Sequence, residues 1–160
     1  FTIVYLLIDP AAGALTCSNA GHPQPVILRN GGGIQRLQRG GPVIGLRSIR
    51  RPADREIVFS EEKVRIAPGD RVLLYTDGLT EYQSAAGELY GNARFLARLE
   101  ALRQKPLAEM IEAVRLSLRK FGGGTQPADD MTLLGIELKA PGATGKEKVE
   151  APPRAFDPGL

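Results

Sequence analysis

The sequence predicts an α+β fold, with helices packed on an antiparallel sheet or on a two-sheet sandwich. Short strand-like runs separated by turn residues fill the first half of the chain. Two segments of helical period follow, and one further strand-like run ends the patterned region. The strand-helix-strand alternation that would build a parallel sheet is absent.

The elements follow in order. Phe1 to Ile8 is β-branched and aromatic-rich, and Asp9 to Ala14 supplies the Asp, Pro and Gly of a hairpin turn. "LTCSNA" is a second strand; "VILR", "NGGG" and "IQRLQ" read as strand, turn and strand, so the first forty residues form a meander. Residues 40–56 lose periodicity and carry Gly40, Gly41 and Gly45, which predicts a long connection or a short irregular helix. "IVFS" and "KVRI" resume strand character, and Ala67 to Asp70 is a turn. Arg71 to Thr76 then reads as the most buried strand of the chain.

The period changes after Glu81. Phe95, Leu96, Leu99 and Leu102 share one face at 3.6 residues per turn, and Leu107, Met110, Ile111, Val114 and Leu118 do the same in the next segment. Pro106 suits the start of the second helix, and Gly122 to Gly124 suit its end. Met131 to Leu138 returns to strand. Residues 1–139 are expected to form one domain and residues 140–160 a disordered Pro- and Gly-rich tail.

Composition narrows the function. The longest apolar run is far short of the roughly 20 residues that cross a bilayer, so no membrane span is expected. A lone Cys17 excludes an internal disulfide framework and makes the cytoplasm the default. The formal charge of +3 is spread among nearly balanced acids and bases, without the dense basic block that follows a phosphate backbone, so no nucleic-acid partner is expected. The chain opens at Phe1 inside a strand-like run, which predicts a longer parent protein.

Two acidic stops are the sites of interest. In "LLYTDGLTEY" a buried strand runs directly into Asp77 and Gly78, and in "PADDMTLL" Asp129 and Asp130 immediately precede the last strand. If those strands are antiparallel neighbours, the carboxylates of both junctions fall at one edge of the sheet. With no His or Cys in range they offer only hard oxygen donors, which suit Mg²⁺ or Mn²⁺ and the hydrolysis of a phosphate ester. Asp-Gly after a strand is also a common turn, and Asp before a strand is routine, so spacing alone leaves the structural reading open.

Four ordered blocks carry a resemblance. "SNAGHPQPVIL", "GGPVIGL", "PGDRVLLYTDGLTEYQSAAGELYG" and "DDMTLL" resemble the PPM-type metal-dependent protein serine/threonine phosphatases, in the SpoIIE/RsbU branch, over about Phe1 to Leu138. The resemblance implies an antiparallel β-sandwich flanked by helices and a binuclear Mn²⁺ or Mg²⁺ centre at its edge. Asp77 and Asp129 would be metal ligands, Asp130 would support them, and Gly78 would let the backbone turn close to the metals. It also implies an upstream Asp-Gly block, not matched here, so this chain alone is expected to bind metal and turn over weakly or not at all. The implied substrate is a phosphorylated STAS-type anti-sigma-factor antagonist, with a sensor domain upstream in the parent and a homodimer possible. The alternative is a catalytically inactive pseudophosphatase that binds a phosphoprotein.

Other residues carry smaller expectations. Arg47, Arg50, Arg51 and Arg55 form a basic cluster that is either solvated or a contact for a phosphorylated partner. His22 reads as a local hydrogen-bonding residue, Cys17 as a small buried hydrophobe, and Glu81 as the start of a helix.

Overall fold

A computed structural model describes residues 1–45 and 57–140. The basic cluster at Arg47, Arg50, Arg51 and Arg55, and the expected tail beyond residue 140, lie outside the described residues.

The first sheet has the order β1-β2-β5, from Ile3–Asp9 (β1), Ala14–Ala20 (β2) and Glu61–Arg65 (β5). The second has the order β4-β3-β6-β7, from Ile34–Arg36 (β4), Val26–Leu28 (β3), Arg71–Tyr75 (β6) and Leu133–Glu137 (β7). Every pairing within the two sheets is antiparallel. Three helices complete the described elements: the single turn Asp77–Thr80 (α1), Asn92–Leu102 (α2) and Leu107–Gly122 (α3).

Side-chain alternation builds three layers. Ile27 and Val72 of the second sheet meet Leu15 and Cys17 of the first, with Leu37 and Ile66, in a core between the sheets. Val26, Leu28, Leu73 and Tyr75 point the other way, into a second core with Phe95 and Leu99 of α2 and Met110, Val114 and Leu118 of α3. The second sheet is therefore covered on both faces, which is why "VIL" and "RVLLY" read as continuous apolar runs. Each such fully buried side chain contributes about 1.5–3 kcal/mol. The helices lie on the second sheet only, and the α+β sandwich expected from the sequence is the architecture found.

Helix ends follow local chemistry. Pro106 precedes the first helical residue of α3, and Gly123 ends it with φ of 61°, the left-handed geometry that glycine adopts without strain. Helix and sheet meet closely at Gly135 of β7, where a Cβ would stand 2.8 Å from Leu107 Cδ1.

Two expectations need correction. "IVFS" is not a strand: the ladder of β5 with β2 begins only at Glu61, opposite Ser18, and Ile57, Val58 and Phe59 are exposed. The backbone there bonds instead to the glycine segment, Ser60 N donating to Gly40 O at 3.3 Å. Glu81 does not start a helix. It caps the end of α1, its N–H donating to Asp77 O at 2.8 Å.

Candidate metal-binding edge

Strands β6 and β7 are antiparallel neighbours, with Tyr75 opposite Leu133. The chain leaving β6 and the chain entering β7 therefore run side by side at one edge of the second sheet. The ladder continues one residue further, Thr76 N donating to Thr132 O at 3.1 Å. The Thr76 hydroxyl then ties the two segments twice, accepting from Thr132 N at 2.9 Å and donating to Asp130 O at 2.8 Å. Sequence reasoning passed over Thr76; the only signal was a hydroxyl residue at the last position of a buried strand.

Gly78 closes the junction. A Cβ at that position would stand 2.5 Å from Asp130 O and 3.3 Å from Asp129 O. The room left by the missing side chain is occupied by the backbone of the second acidic segment, so "TDG" and "DDMT" fit against each other main chain to main chain.

Asp77, Asp129 and Asp130 are all exposed at this edge. Asp77 Oδ1 accepts from Gly78 N at 3.1 Å, and Asp129 Oδ1 accepts from Asp130 N at 2.7 Å. The other oxygen of each, and the Asp130 carboxylate, make no hydrogen bond with the described residues, and no described Lys, Arg or His forms an ion pair with any of the three. Uncompensated carboxylates at one edge repel each other unless a cation comes between them. Their donor set is all oxygen, suited to a hard divalent ion. Among the described residues no three His, Cys, Asp or Glu side chains close into a single group.

The other singled-out residues lie elsewhere. His22 is locked in a reciprocal turn, its N–H donating to Asn19 Oδ1 at 2.9 Å while Asn19 Nδ2 donates to His22 O at 2.8 Å. Cys17 is fully buried between the sheets, and burial, with Glu62 nearby, pushes its thiol up to about 11, so it is no nucleophile at neutral pH. Among the described residues no helix is long and apolar enough to cross a membrane.

Comparison with known proteins bears on this geometry. The family model described as Stage II sporulation protein E (SpoIIE) matches residues 1–139. Protein IcfG of Synechocystis sp. is 29% identical over 136 residues, covering 84% of this chain and 20% of IcfG. The SiaA-PP2C domain of Pseudomonas aeruginosa superposes with a TM-score of 0.71 at 24% identity, covering 85% of this chain and 51% of that one. The manganese-presoaked phosphatase domain of SpoIIE from Bacillus subtilis superposes with a TM-score of 0.63 at 17% identity, covering 86% and 56%. The chain thus spans a fifth of the length of its curated relative and little more than half of these solved domains. Since two antiparallel sheets backed by helices recur in them, and the family match runs through both acidic segments, the chain belongs to the SpoIIE family of PP2C-like phosphatase domains.

Proposed function

We propose that this chain is part of a protein serine/threonine phosphatase that hydrolyses phosphoserine or phosphothreonine at an Mn²⁺ or Mg²⁺ centre. Asp77 and Asp129 would hold the metal, with Gly78 and Asp130 in support. One observation carries the reading: the β6–β7 junction brings two acidic segments together and leaves their carboxylates without a basic partner among the described residues. Mg²⁺ is commonly held by one or two protein carboxylates with water and substrate oxygens in the remaining positions, so this sparse donor set fits it. Such a centre, when bound, supplies an activated water and neutralises charge on the phosphate oxygens. The chain's own residues keep the two acidic segments in register through Thr76 and Gly78, and they present ionised oxygens to solvent. Direct attack by water needs no protein nucleophile, in keeping with the buried, protonated Cys17.

Membership of the SpoIIE family supports this reading at the level of the phosphatase domain. The proposed substrate is a phosphorylated STAS-type anti-sigma-factor antagonist in the cytoplasm, with Arg47, Arg50 and Arg51 as partner contacts and an upstream sensor domain controlling the parent. The test is Mn²⁺-dependent phosphate release by the full-length parent and by its Asp77→Asn and Asp129→Asn variants. Loss in each variant is expected; activity retained in both overturns the metal assignment.

A second reading is a phosphoprotein-binding pseudophosphatase. It predicts tight capture of the phosphoprotein by the full-length parent with no phosphate release at any Mn²⁺ concentration.

A further inference from the structure

A cleft of about 340 Å³ opens where the two sheets meet, and the acidic segments do not line it. Asn19 at the end of β2, the His22–Gln24 segment before β3, and Gln38 and Gly40 after β4 form its walls. Its floor is built by close backbone approach. Gly41 N donates to Asn19 O at 2.7 Å and Gly21 N to Gly41 O at 3.1 Å, and a Cβ at Gly40 would collide with Asn19 O. Each glycine of "NAGHP" and "RGGP" has its own close neighbour here, Asn19 O at Gly40, Val43 at Gly21 and Phe59 at Gly41, and together they fasten the two sheets at this point.

Among the described residues the cleft is lined by neutral hydrogen-bonding groups and one imidazole: no described Asp, Glu, Lys or Arg borders it, and His22, whose Nδ1 meets the Thr2 hydroxyl at 3.4 Å, is its one titratable side chain. Asn19 is fully committed to the His22 turn, but the side-chain amides of Gln24 and Gln38 make no hydrogen bond with the described residues. The Gln38 backbone is held separately, its N–H donating to Glu62 Oε2 at 2.8 Å, so its side chain is free to serve a ligand. A carboxamide offers a donor and an acceptor side by side, the same pair that each peptide group of an extended chain presents.

Position supplies the last step. Strands β3 and β6 are antiparallel, with Val26 opposite Leu73, so the segment preceding Val26 lies toward the end where β6 runs into Asp77. The cleft and the carboxylates therefore open at the same end of the second sheet. We infer that this cleft is a subsite for the main chain flanking the phosphorylated residue of a protein substrate, with Gln24 and Gln38 as its specificity-determining contacts. The inference rests on the phosphatase reading for its substrate and not for its geometry.

The test uses the full-length parent with two probes: para-nitrophenyl phosphate, which has no peptide groups, and an alanine-flanked phosphoserine peptide of about ten residues, about 33 Å when extended. Replacing a residue that makes one neutral hydrogen bond weakens binding about fivefold. Gln24→Ala and Gln38→Ala are each expected to raise KM for the peptide about fivefold, with kcat and all para-nitrophenyl phosphate kinetics unchanged. Unchanged peptide KM in both variants overturns the inference, as does an equal loss on both probes, which marks a structural role. If the wild-type parent hydrolyses neither probe, the phosphatase reading fails and fluorescence anisotropy of the labelled peptide decides the subsite. Weaker binding by the double variant then upholds it, and equal binding or none by the wild type overturns it.

Discussion

The two ends of the second sheet treat acidic residues in opposite ways. Where β6 begins and β7 ends, each carboxylate is matched. Asp70 is buried and accepts from Asn30 N at 2.9 Å, Ala67 N at 3.0 Å and Arg29 Nη1 at 2.7 Å. Next to it Arg71 Nε pairs with Glu137 at 2.7 Å, while its Nη1 donates to the carbonyls of Arg103 and Lys105. Where β6 ends and β7 begins, Asp77, Asp129 and Asp130 stand exposed without such partners among the described residues. The same two strands thus end in carboxylates whose charge is consumed by the fold and in carboxylates whose charge is left over. Leftover charge costs stability through repulsion, and a site that must hold a cation requires it.

The widest separation of the two ends is expected in activity. Asp77→Asn or Asp129→Asn in the full-length parent should lower Mn²⁺-dependent phosphate release by about a hundredfold or more. Thermal unfolding of this chain should change by less than about 0.5 kcal/mol in the same variants, because Asn keeps the Oδ1 acceptor and the site is exposed. Equal damage to stability would erase the contrast.

Asp70→Asn is the converse experiment. It leaves the Arg29 guanidinium facing a neutral amide in a largely buried pair and should destabilise the chain by about 2–3 kcal/mol in urea unfolding. Because Arg29 is partly exposed, that figure is set below the value for a fully enclosed pair.

The pH dependence sharpens the assignment. Burial pushes the Asp70 carboxyl up, but the Asn30 amide, the Arg29 guanidinium and the Ala67 amide outweigh burial and hold it below the ordinary carboxylate range. A depressed native pKa means that the stabilisation is complete above the unfolded-state value of about 3.9 and is lost as pH falls through the native value. The difference in Tm between wild type and Asp70→Asn should therefore be constant near neutrality and shrink below about pH 4. A gap that does not shrink at all as pH falls below about 4 would contradict the charge-based account.

Thr76 gives the smallest and most diagnostic change. Thr76→Val should cost about 1–2 kcal/mol by removing the hydroxyl bridge to Asp130 O and Thr132 N, and Thr76→Ser should restore most of it. If the bridge also positions the acidic segments, Mn²⁺ affinity measured by calorimetry should fall about tenfold in the valine variant and recover in the serine variant.

Much of this architecture was legible in local pattern. The change from short alternating runs to helical period, the apolar block "RVLLYT" and the stop at Gly122 to Gly124 each report a neighbour within a few residues, and each matches an observed element. "IVFS" failed because strand propensity does not reveal whether a partner strand is present, and β2 pairs only from Glu61 onward in this segment. Asp70 read as a turn residue because its partner Arg29 is 41 positions away. Gly78 was noticed, but what fills the space beside it, the Asp130 carbonyl, comes from 52 positions along the chain.

The amino-acid sequence by itself determined most of the elements, their order and the identity of the two acidic segments, because backbone propensity and hydrophobic period act over one or two turns of chain. Only the tertiary structure decided which carboxylates are neutralised and which are left to a ligand. That distinction depends on the register of β6 against β7 and on partners far apart in the chain, Arg29 for Asp70 and Arg71 for Glu137, because electrostatic pairing acts through space and local pattern does not show which distant charges meet.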